Sequence, residues 1–580
     1  MFVVPRRRHP AAIFLAVLGA LAIALGGPAS ALAGDSATGL AARTVGLQLL
    51  SINDFHGNLE PPTGSSGRLN VPGPDGTTTT VNAGGVTYLA THLNELRAGH
   101  KNTLTVAAGD NIGASPLISG YFHDEPAIEA LNALHLDVAS VGNHEFDEGP
   151  AELMRMQNGG CHPVDGCQDG DGFAGAEFGY LSANVVVDAT GKTLFPAYQI
   201  RNVDGVRVAF IGLTLEGTPT IVTPAGTAGL TFLDEADTVN KYVDLLERSS
   251  RVEAFVILIH EGGFQTGPSY VNDCIGISGA ITDIVRKFNS RVDVVLSGHT
   301  HQPYNCELAN NDGHDMLVTS ASSFGRVVTD VELQIDRATG DVYQASANNV
   351  IVTRDVATNP AEDAIVAKYK ALTDEISQQV VGSISADLTR TVNAAGEQSL
   401  GDVIADAQLD ATSGPFGADI AFMNPGGIRA DIVCGPGEAP PCPVTFGELF
   451  TTQPFANDMA IKDLTGDQIR RILEQQFDNP GAGETRFLQV SHGFSYTWSS
   501  SAAIGSKIGN LMLNGLPLDM SAAYQVAANA FLAGGGDNFT VFKEQPNQTI
   551  AMVDLDALVA YFEANSPVAP GPQDRYAVVP

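Results

Sequence analysis

Short apolar runs recur through the first half of the chain and are typical of buried strands. They are rich in Val, Ile and Leu and do not alternate with polar residues, as in strands covered on both faces. They span residues 45–52, 103–107, 138–141, 206–213, 255–259, 292–296 and 316–319. Helical patterns lie between some of them, at 86–98 and 236–247. This alternation predicts an α/β fold with packed sheets and outer helices.

A polar, helix-favouring segment at 361–379 separates this half from a second region in which strands and helices mix again. A chain of 580 residues also exceeds what one hydrophobic core usually serves. We therefore predict two domains, at 41–355 and 381–580, joined by a connecting helix within 356–380.

The N-terminus has the pattern of an export signal. Arg6, Arg7 and Arg8 precede an apolar run at 11–25, and small residues follow as far as Ala33. A basic start, a short apolar middle and an Ala-x-Ala end predict a signal peptide over residues 1–33. A membrane anchor is the alternative, but the run is short for a span and no second apolar segment follows. Both the Sec and the twin-arginine routes stay open.

The cysteines agree with export. There are six of them, and an even number of cysteines in an exported chain usually forms disulfides. Their proximity along the chain suggests the pairs Cys161 with Cys167, Cys274 with Cys306, and Cys434 with Cys442. A thiolate metal site is the alternative, but Cys-x-x-Cys spacing is missing.

The charge balance is strongly acidic. Asp and Glu outnumber Lys and Arg 65 to 31, which gives a net charge of −34. A nucleic-acid polymer is therefore not expected as a partner, because binding one needs a basic face. Any phosphate site in this chain must obtain its positive field locally, from metal ions or from a few arginines.

Candidate metal ligands follow five of the predicted strands. Asp, Asn and His are the residue types that bind hard and borderline divalent cations, and a rigid sheet aims them best from strand ends. The candidates are Asp54, His56, Asp110, Asn143, His260, His299 and His301. Two of the pairs are spaced two residues apart, so each pair can face one side of an extended segment.

Each candidate taken alone has an ordinary explanation, such as a turn or a hydrogen-bonded histidine. Seven compatible side chains at five strand ends favour a site for two cations about 4 Å apart, which together neutralise a transferring phosphoryl group. The other histidines have no role in this pattern; they include His92, His100, His123, His135, His162, His314 and His492.

The motifs around these residues resemble those of the calcineurin-like metallophosphoesterases, and more closely the bacterial and animal 5′-nucleotidase family. They are Asn-Asp-Phe-His-Gly at 53–57, Gly-Asn-His-Glu-Phe-Asp at 142–147 and Gly-His-Thr-His-Gln at 298–302. The resemblance covers nearly the whole predicted mature chain. It implies an N-terminal four-layer α/β/β/α metallophosphoesterase domain and a smaller α/β C-terminal 5′-nucleotidase substrate-binding domain. In that family the two domains rotate, so 356–380 would include the hinge.

Carried over by position, the resemblance implies two divalent ions, with Zn, Mn, Co and Fe all suitable. One would be bound by Asp54, His56, Asp110 and His301, and the other by Asp110, Asn143, His260 and His299. His144 and Asp147 match the catalytic dyad of the family. A structural His–Asp pair is the alternative for these two residues.

The second region resembles the substrate-binding part of the family. The matching positions are Asn424, Arg429, Phe455, Phe531 and Asp537. Arg429 would bind the phosphate, the two phenylalanines would enclose a nucleobase, and Asp537 would accept hydrogen bonds from the ribose. Pro425 replaces a glycine of the family, and the family's arginines before 396–402 are missing, with Arg390 further upstream.

The resemblance therefore implies a secreted 5′-nucleotidase, extracellular or associated with the cell wall, in which a metal-bound hydroxide attacks the phosphate of a nucleotide. Three alternatives stay open: a 2′,3′-cyclic nucleotide phosphodiesterase, a UDP-sugar hydrolase, and an inactive nucleotide-binding protein. No apolar C-terminal anchor is seen, and the sequence leaves the oligomeric state open.

Overall fold

The first part of the chain contains two six-stranded sheets built from the predicted apolar runs. A computed structural model describes residues 43–73, 77–267, 269–455, 457–481, 483–545 and 547–580; the predicted signal peptide lies outside the described residues. The first sheet has the spatial order Val342–Ile351, Val327–Asp336, Thr44–Ile52, Thr103–Ala108, Val138–Ser140, Gly179–Leu181. The last four of these strands are parallel.

The second sheet faces the first. Its order is Pro303–Ala309, Asp315–Ala321, Val292–Ser297, Ala254–His260, Val206–Thr214, Tyr198–Val203, and its four central strands are parallel. Apolar side chains from both sheets, such as Leu49, Val106, Phe210, Val256 and Leu296, form one core between them. The strands are apolar on both faces because helices cover their outer faces.

Helices complete the four layers. Val86–Arg97, Glu125–Ala133 and Pro150–Asn158 cover the first sheet, and Glu235–Ser250 and Ala280–Arg286 cover the second. In Glu235–Ser250 the apolar residues at i, i+3 and i+7 face the sheet, and Asp234 caps the helix by accepting the Asp237 N–H. The predicted α/β/β/α arrangement is confirmed.

The remaining elements of this part are short. The strands are Arg68–Pro72, Thr78–Asn82, Val185–Val187, Lys192–Thr193 and Leu230–Phe232, and the further helix is Leu117–Gly120.

The second part is built on two smaller sheets. One has the order Gln489–Val490, Ile420–Met423, Ala523–Asn529, Asp458–Thr465, Thr549–Val553, and the other Leu516–Pro517, Ile508–Leu513, Phe494–Ser499, Tyr576–Val579. A two-stranded sheet pairs Val380–Ile384 with Cys442–Thr445. The helices of the second part are Ser399–Phe416, Phe446–Thr452, Gly466–Glu474, Ala530–Ala533 and Asp554–Asn565.

A long helix, Pro360–Ser377, connects the two parts. Asn359 caps it by accepting two backbone N–H groups, which fixes where the helix begins. It packs against Val86–Arg97 and Glu125–Ala133 of the first part and against Phe446–Thr452 of the second. Where the domains divide around this helix stays a prediction.

All three predicted disulfides are confirmed. Cys161 is bonded to Cys167, Cys274 to Cys306, and Cys434 to Cys442. Within the part of the chain that the structure describes, no helix has both the length and the apolar character needed to cross a bilayer.

Candidate metal centre

Seven side chains with metal-binding groups meet at the carboxyl ends of strands from both large sheets. Asp54 and His56 follow Thr44–Ile52, and Asp110 follows Thr103–Ala108. The others are Asn143 after Val138–Ser140, His260 at the end of Ala254–His260, and His299 and His301 after Val292–Ser297. Because parallel strands end at a common edge, residues far apart in sequence lie together here. We call these seven residues the metal centre.

The ligand atoms of the metal centre lie within coordination reach of one another. His301 Nε2 is 3.2 Å from His56 Nε2 and 3.2 Å from Asp54 Oδ1. Asp110 Oδ2 lies between two histidines, 2.9 Å from His260 Nε2 and 3.7 Å from His56 Nε2. Asp110 is therefore within reach of histidines from both sides of the centre.

Asn143 and His299 complete the second side of the centre. Asn143 Oδ1 is 3.0 Å from His299 Nδ1. The ligand atoms of Asp54, His56 and His301 lie within 4.8 Å of one another, as do those of Asp110, His260 and His299. The structure thus brings together all seven residues that the sequence singled out, in two groups.

These side chains fit divalent cations. His56 Nδ1 donates to the Gly113 carbonyl at 2.7 Å, and His260 Nδ1 donates to the Ala108 carbonyl at 2.8 Å. Each histidine therefore turns Nε2 toward the carboxylates, and such orientation by a carbonyl is usual for metal-bound histidines. Burial holds the pKa of His56 well below its usual range, so that this ring is neutral and its Nε2 lone pair is available.

Five of the seven residues have a left-handed backbone. Asp54, His56, Asp110, His299 and His301 have φ values between 48° and 71°. Such conformations cost free energy in residues other than glycine, and they cluster at functional sites where the surrounding structure enforces them.

Glu145 is one group that enforces this backbone, and sequence reasoning gave it no role. Its carboxylate accepts the backbone N–H groups of Asp110, Asn111 and Gly142 at 2.9, 2.8 and 2.5 Å. Burial and the nearby Asp110 carboxylate raise its pKa to about 7. The only signal in the sequence was its place inside the Gly-Asn-His-Glu motif. Gly142 is required here, because a Cβ on it would lie 2.2 Å from Asp110 Oδ1.

His144 and Asp147 form a hydrogen-bonded pair beside the metal centre. His144 Nδ1 is 2.8 Å from Asp147 Oδ2, and the His144 N–H donates to Asp110 Oδ1 at 2.9 Å. Burial acts to lower the pKa of His144, but the carboxylates of Asp147 and Asp110 outweigh it and raise that pKa above its usual value. The ring is therefore kept cationic beside the metal centre.

The second part of the chain reaches this pair through Phe455. The Phe455 ring stacks on His144, with centroids 5.6 Å apart and an interplanar angle of 24°. The Arg429 guanidinium lies 5.8 Å from the centroid of the same phenylalanine. Two of the predicted substrate residues are therefore next to the metal centre.

The other three predicted substrate residues form a separate group. Asn424 donates to Asp537 Oδ2 at 2.9 Å, and Arg486, another residue without a predicted role, pairs with Asp537 Oδ1 at 2.5 Å. The Phe531 ring lies over Gly536, where a Cβ would come within 2.5 Å of it. No ring contact joins Phe455 to Phe531 among the residues described.

A cavity of about 410 Å³ opens beside His301 and is lined by four arginines. They are Arg68, Arg326, Arg390 and Arg429. Arg390 donates to the Arg429 carbonyl at 2.8 Å and to Ser66 Oγ at 3.1 Å, so it does reach the site despite its distance from the expected position. Arg326 and Arg68 carry no sequence signal, because only the fold brings them here.

Comparison with known proteins identifies the families that the two parts of the chain resemble. Residues 47–303 match the calcineurin-like phosphoesterase family and residues 380–544 match the C-terminal domain of 5′-nucleotidases. The endonuclease YhcR of Bacillus subtilis (strain 168) is 33% identical over 90% of this chain, but the chain spans only 40% of that protein. The cell wall protein Lmo0130 of Listeria monocytogenes is 32% identical over 90% of this chain and 68% of that protein.

A solved structure covers the same two parts. The crystal structure of a 5′-nucleotidase precursor from Thermus thermophilus matches with a TM-score of 0.74 and 28% sequence identity, over 92% of this chain and 99% of that one. The strand-end ligands, both family matches and this full-length likeness agree. The chain therefore belongs to the 5′-nucleotidase family of calcineurin-like metallophosphoesterases and is a metal-dependent phosphoester hydrolase.

Proposed function

We propose that this protein is a secreted 5′-nucleotidase that uses two divalent ions at the metal centre. The observation that carries the proposal is the stacking of Phe455 on His144. It places a side chain suited to a nucleobase directly beside the groups suited to phosphoryl transfer. When bound, the two ions would neutralise the phosphoryl oxygens and activate the attacking water.

The chain's own residues would then orient the substrate and stabilise charge. Asp147 orients the His144 ring, which is kept cationic. This ring would stabilise negative charge on the oxygen that leaves with the nucleoside. Arg429 would bind the phosphate with its planar fork of donors. Arg390 pairs with Asp431 at 3.0 Å and donates to the Arg429 carbonyl, so it would act mainly by positioning Arg429.

The nucleoside would be bound by the second part of the chain. Phe455 and Phe531 would stack on the base, which is worth about 1–3 kcal/mol and tolerates different bases. Asp537 is held by Asn424 and Arg486 and would accept hydrogen bonds from the ribose hydroxyls.

Location and domain limits are part of the same proposal. The predicted signal peptide and the name of the relative Lmo0130, a cell wall protein, support a site of action outside the cytoplasm. The proposed domains are 41–355 and 381–580, with the helix Pro360–Ser377 inside the proposed connecting segment 356–380.

A second candidate function is the hydrolysis of nucleotides that have more than one phosphate, such as UDP-sugars. The four arginines around the cavity beside His301 favour it, because they offer more positive charge than one phosphate needs. The relative YhcR is named an endonuclease, and polymer cleavage would be the third outcome to examine.

The test is phosphate release by the purified mature protein with Mn²⁺ or Zn²⁺, and again with EDTA. The substrates are AMP, ADP, ATP, UDP-glucose, 2′,3′-cAMP and p-nitrophenyl phosphate. We expect metal-dependent turnover that is strongest on AMP. Turnover confined to UDP-glucose or 2′,3′-cAMP would replace the 5′-nucleotidase assignment, and no turnover with any metal would overturn the catalytic proposal.

The variant Phe531→Ala separates nucleoside binding from chemistry. Loss of one stacking contact should lower kcat/KM for AMP roughly 5- to 100-fold. Turnover of p-nitrophenyl phosphate, which has no nucleobase, should be almost unchanged. An equal loss on both substrates would contradict the role given to Phe531.

A further inference from the structure

A second group of metal-binding side chains lies outside the metal centre, on the surface of the first part. We call it the surface histidine cluster; it consists of His123, Glu148, His162 and Asp165. Asp165 Oδ2 is 2.9 Å from His123 Nε2 and 3.2 Å from His162 Nδ1. These three ligand atoms lie within 4.8 Å of one another.

Two loops that are distant in sequence build the cluster. The His123 and His162 rings stack with centroids 3.7 Å apart and an interplanar angle of 17°. His162 and Asp165 lie inside the short loop closed by the disulfide between Cys161 and Cys167. The disulfide limits the conformations of this loop and so keeps the two side chains near His123.

We propose that the surface histidine cluster binds a Zn²⁺ ion through His123 Nε2, His162 Nδ1 and Asp165 Oδ2, with Glu148 orienting His123. Two imidazoles and one carboxylate, with room left for water, are a usual Zn²⁺ ligand set. Glu148 Oε2 is 2.8 Å from His123 Nδ1. A carboxylate on the far nitrogen of a histidine is the arrangement that fixes the ring for a metal.

The hydrogen bonds at His162 favour a cation. The Asp165 N–H donates to His162 Nδ1 at 3.2 Å, so this nitrogen is an acceptor. It nevertheless faces the Asp165 carboxylate oxygen at 3.2 Å. Two acceptors at this distance repel each other, and a cation between them removes the repulsion. In the cation-bound form, Zn²⁺ takes the place of the proton on His123 Nε2 and of the long bond from Asp165 N–H.

Glu152 is a competing candidate ligand near His123, but its carboxylate is already paired with an arginine. Glu152 also lies within reach of His123 and Glu148. Its carboxylate, however, accepts from Arg155 at 2.6 Å, in a pair that is almost fully buried. Binding Zn²⁺ through Glu152 would break this pair and leave a buried charge, which is costly. The proposed ligands are therefore His123 and the two residues of the 161–167 loop, His162 and Asp165.

A cation in the cluster would stabilise the two segments that contain His123 and Glu148, which adjoin the metal centre. Asp124, next to His123, accepts the Gly113 N–H at 2.8 Å, and the Gly113 carbonyl accepts from His56 Nδ1. Glu148 directly follows Asp147 of the catalytic pair. A cation in the cluster would hold these two segments in place without contacting the substrate.

The test is Zn²⁺ content per chain, measured by mass spectrometry of the metal after equilibrium dialysis against Zn²⁺. His162→Gln and Asp165→Asn should each bind one ion fewer than the unaltered protein. His492→Gln is the matched control, since His492 pairs with Asp410 at 3.4 Å on the surface and belongs to neither site. Circular dichroism identifies any variant that does not fold.

Glu148→Gln refines the test, because it keeps all three ligands. Its Zn²⁺ affinity should fall roughly tenfold, as expected when an orienting carboxylate is removed. Equal Zn²⁺ content in the unaltered protein, His162→Gln and Asp165→Asn would overturn the proposal. The readout is independent of nucleotide turnover, so a failure of the proposed 5′-nucleotidase activity would not be mistaken for a failure of this site.

Discussion

The metal centre and the surface histidine cluster use the same side chains in opposite settings. Asp54, His56 and Asp110 are at most 1% exposed, whereas the side chains of Glu148 and Asp165 are 47% and 46% exposed. In the centre, burial keeps the pKa of His56 low and the ring neutral. In the cluster, burial also acts to lower the pKa of His123, but hydrogen bonds to Glu148 and Asp165 raise it to about 9.

This difference sets how strongly each group depends on a cation. The cluster has a proton on His123 that satisfies the carboxylates of Glu148 and Asp165, so only the contact between His162 and Asp165 favours a cation.

In the metal centre, burial lowers the pKa of His56, His299 and His301, so these rings are neutral beside the carboxylates. Burial also acts to lower the pKa of His260, but Asp110 outweighs it and raises that pKa to about 10. The carboxylate charge that stays unpaired in this buried site is costly unless a cation joins the group. Ligands on strand ends are also positioned more exactly than ligands on loops. We therefore assign the chemistry to the centre and a bracing role to the cluster.

The largest expected effect is at Asp110, the carboxylate between the two groups of ligands. In Asp110→Asn, phosphate release from AMP with added Mn²⁺ should fall more than about 1,000-fold, because one change weakens both cation positions. His162→Gln in the cluster should lower it less than about tenfold. Equal losses in the two variants would remove the distinction between the sites.

The next effect is at His144 and Asp147, the proposed catalytic pair. Asp147 is one of the carboxylates that raise the pKa of His144 against the opposing effect of burial. In Asp147→Asn burial dominates, the pKa falls, and the alkaline limb of the kcat/KM profile should move to lower pH, with a loss of about 100-fold at its maximum. Asp165→Asn, the same change in the cluster, should leave the shape of the profile unaltered. An unshifted limb in Asp147→Asn would contradict the pairing.

A smaller effect is expected from the disulfide beside the cluster. Without the bond between Cys161 and Cys167, the loop must be ordered when Zn²⁺ binds. In the double variant Cys161→Ser/Cys167→Ser, the Zn²⁺ affinity of the cluster should fall roughly 3- to 10-fold, as measured by competition with a chelating dye. The matched variant Cys434→Ser/Cys442→Ser removes a disulfide of the second part and should not change it. Equal Zn²⁺ affinities in the two double variants would show that the disulfide between Cys161 and Cys167 does not contribute to Zn²⁺ binding.

The smallest effect concerns pH and stability in the EDTA-treated protein. The pKa of folded His123 is raised from 6.5 to about 9. Its ion pairs therefore contribute fully below about pH 6.5, and this contribution is lost as the pH rises through about 9. His123→Gln should lower Tm by roughly 1–2 °C at pH 6 and by less at pH 9. A larger loss of Tm at pH 9 than at pH 6 would contradict the assignment of His123 as protonated in the folded protein.

The sequence was sufficient for the layers and for the residues that meet at the metal centre. Buried strands have a simple apolar signature, and a polar residue directly after one, such as His260 or Asp110, stands out. Glu145 was missed because its role is to accept backbone N–H groups, and its place inside the Gly-Asn-His-Glu motif does not reveal that role. His123 and His162 were set aside because they lie on loops, where no periodicity connects them. Arg326 reaches the cavity only through the packing of the sheets.

The left-handed backbone at the metal centre limits how this site can drift during evolution. Gly, Asn, Asp and His accept positive φ at low cost, whereas Val, Ile or Thr at Asp54 or Asp110 would destabilise the fold as well as remove a ligand. Among mutations that remove a ligand, those to Asn or Gly therefore preserve the fold better than those to Val, Ile or Thr. A descendant that loses phosphoester hydrolysis but remains folded should have Asn or Gly at these positions. Such replacements would identify family members that have lost catalysis and act by binding alone.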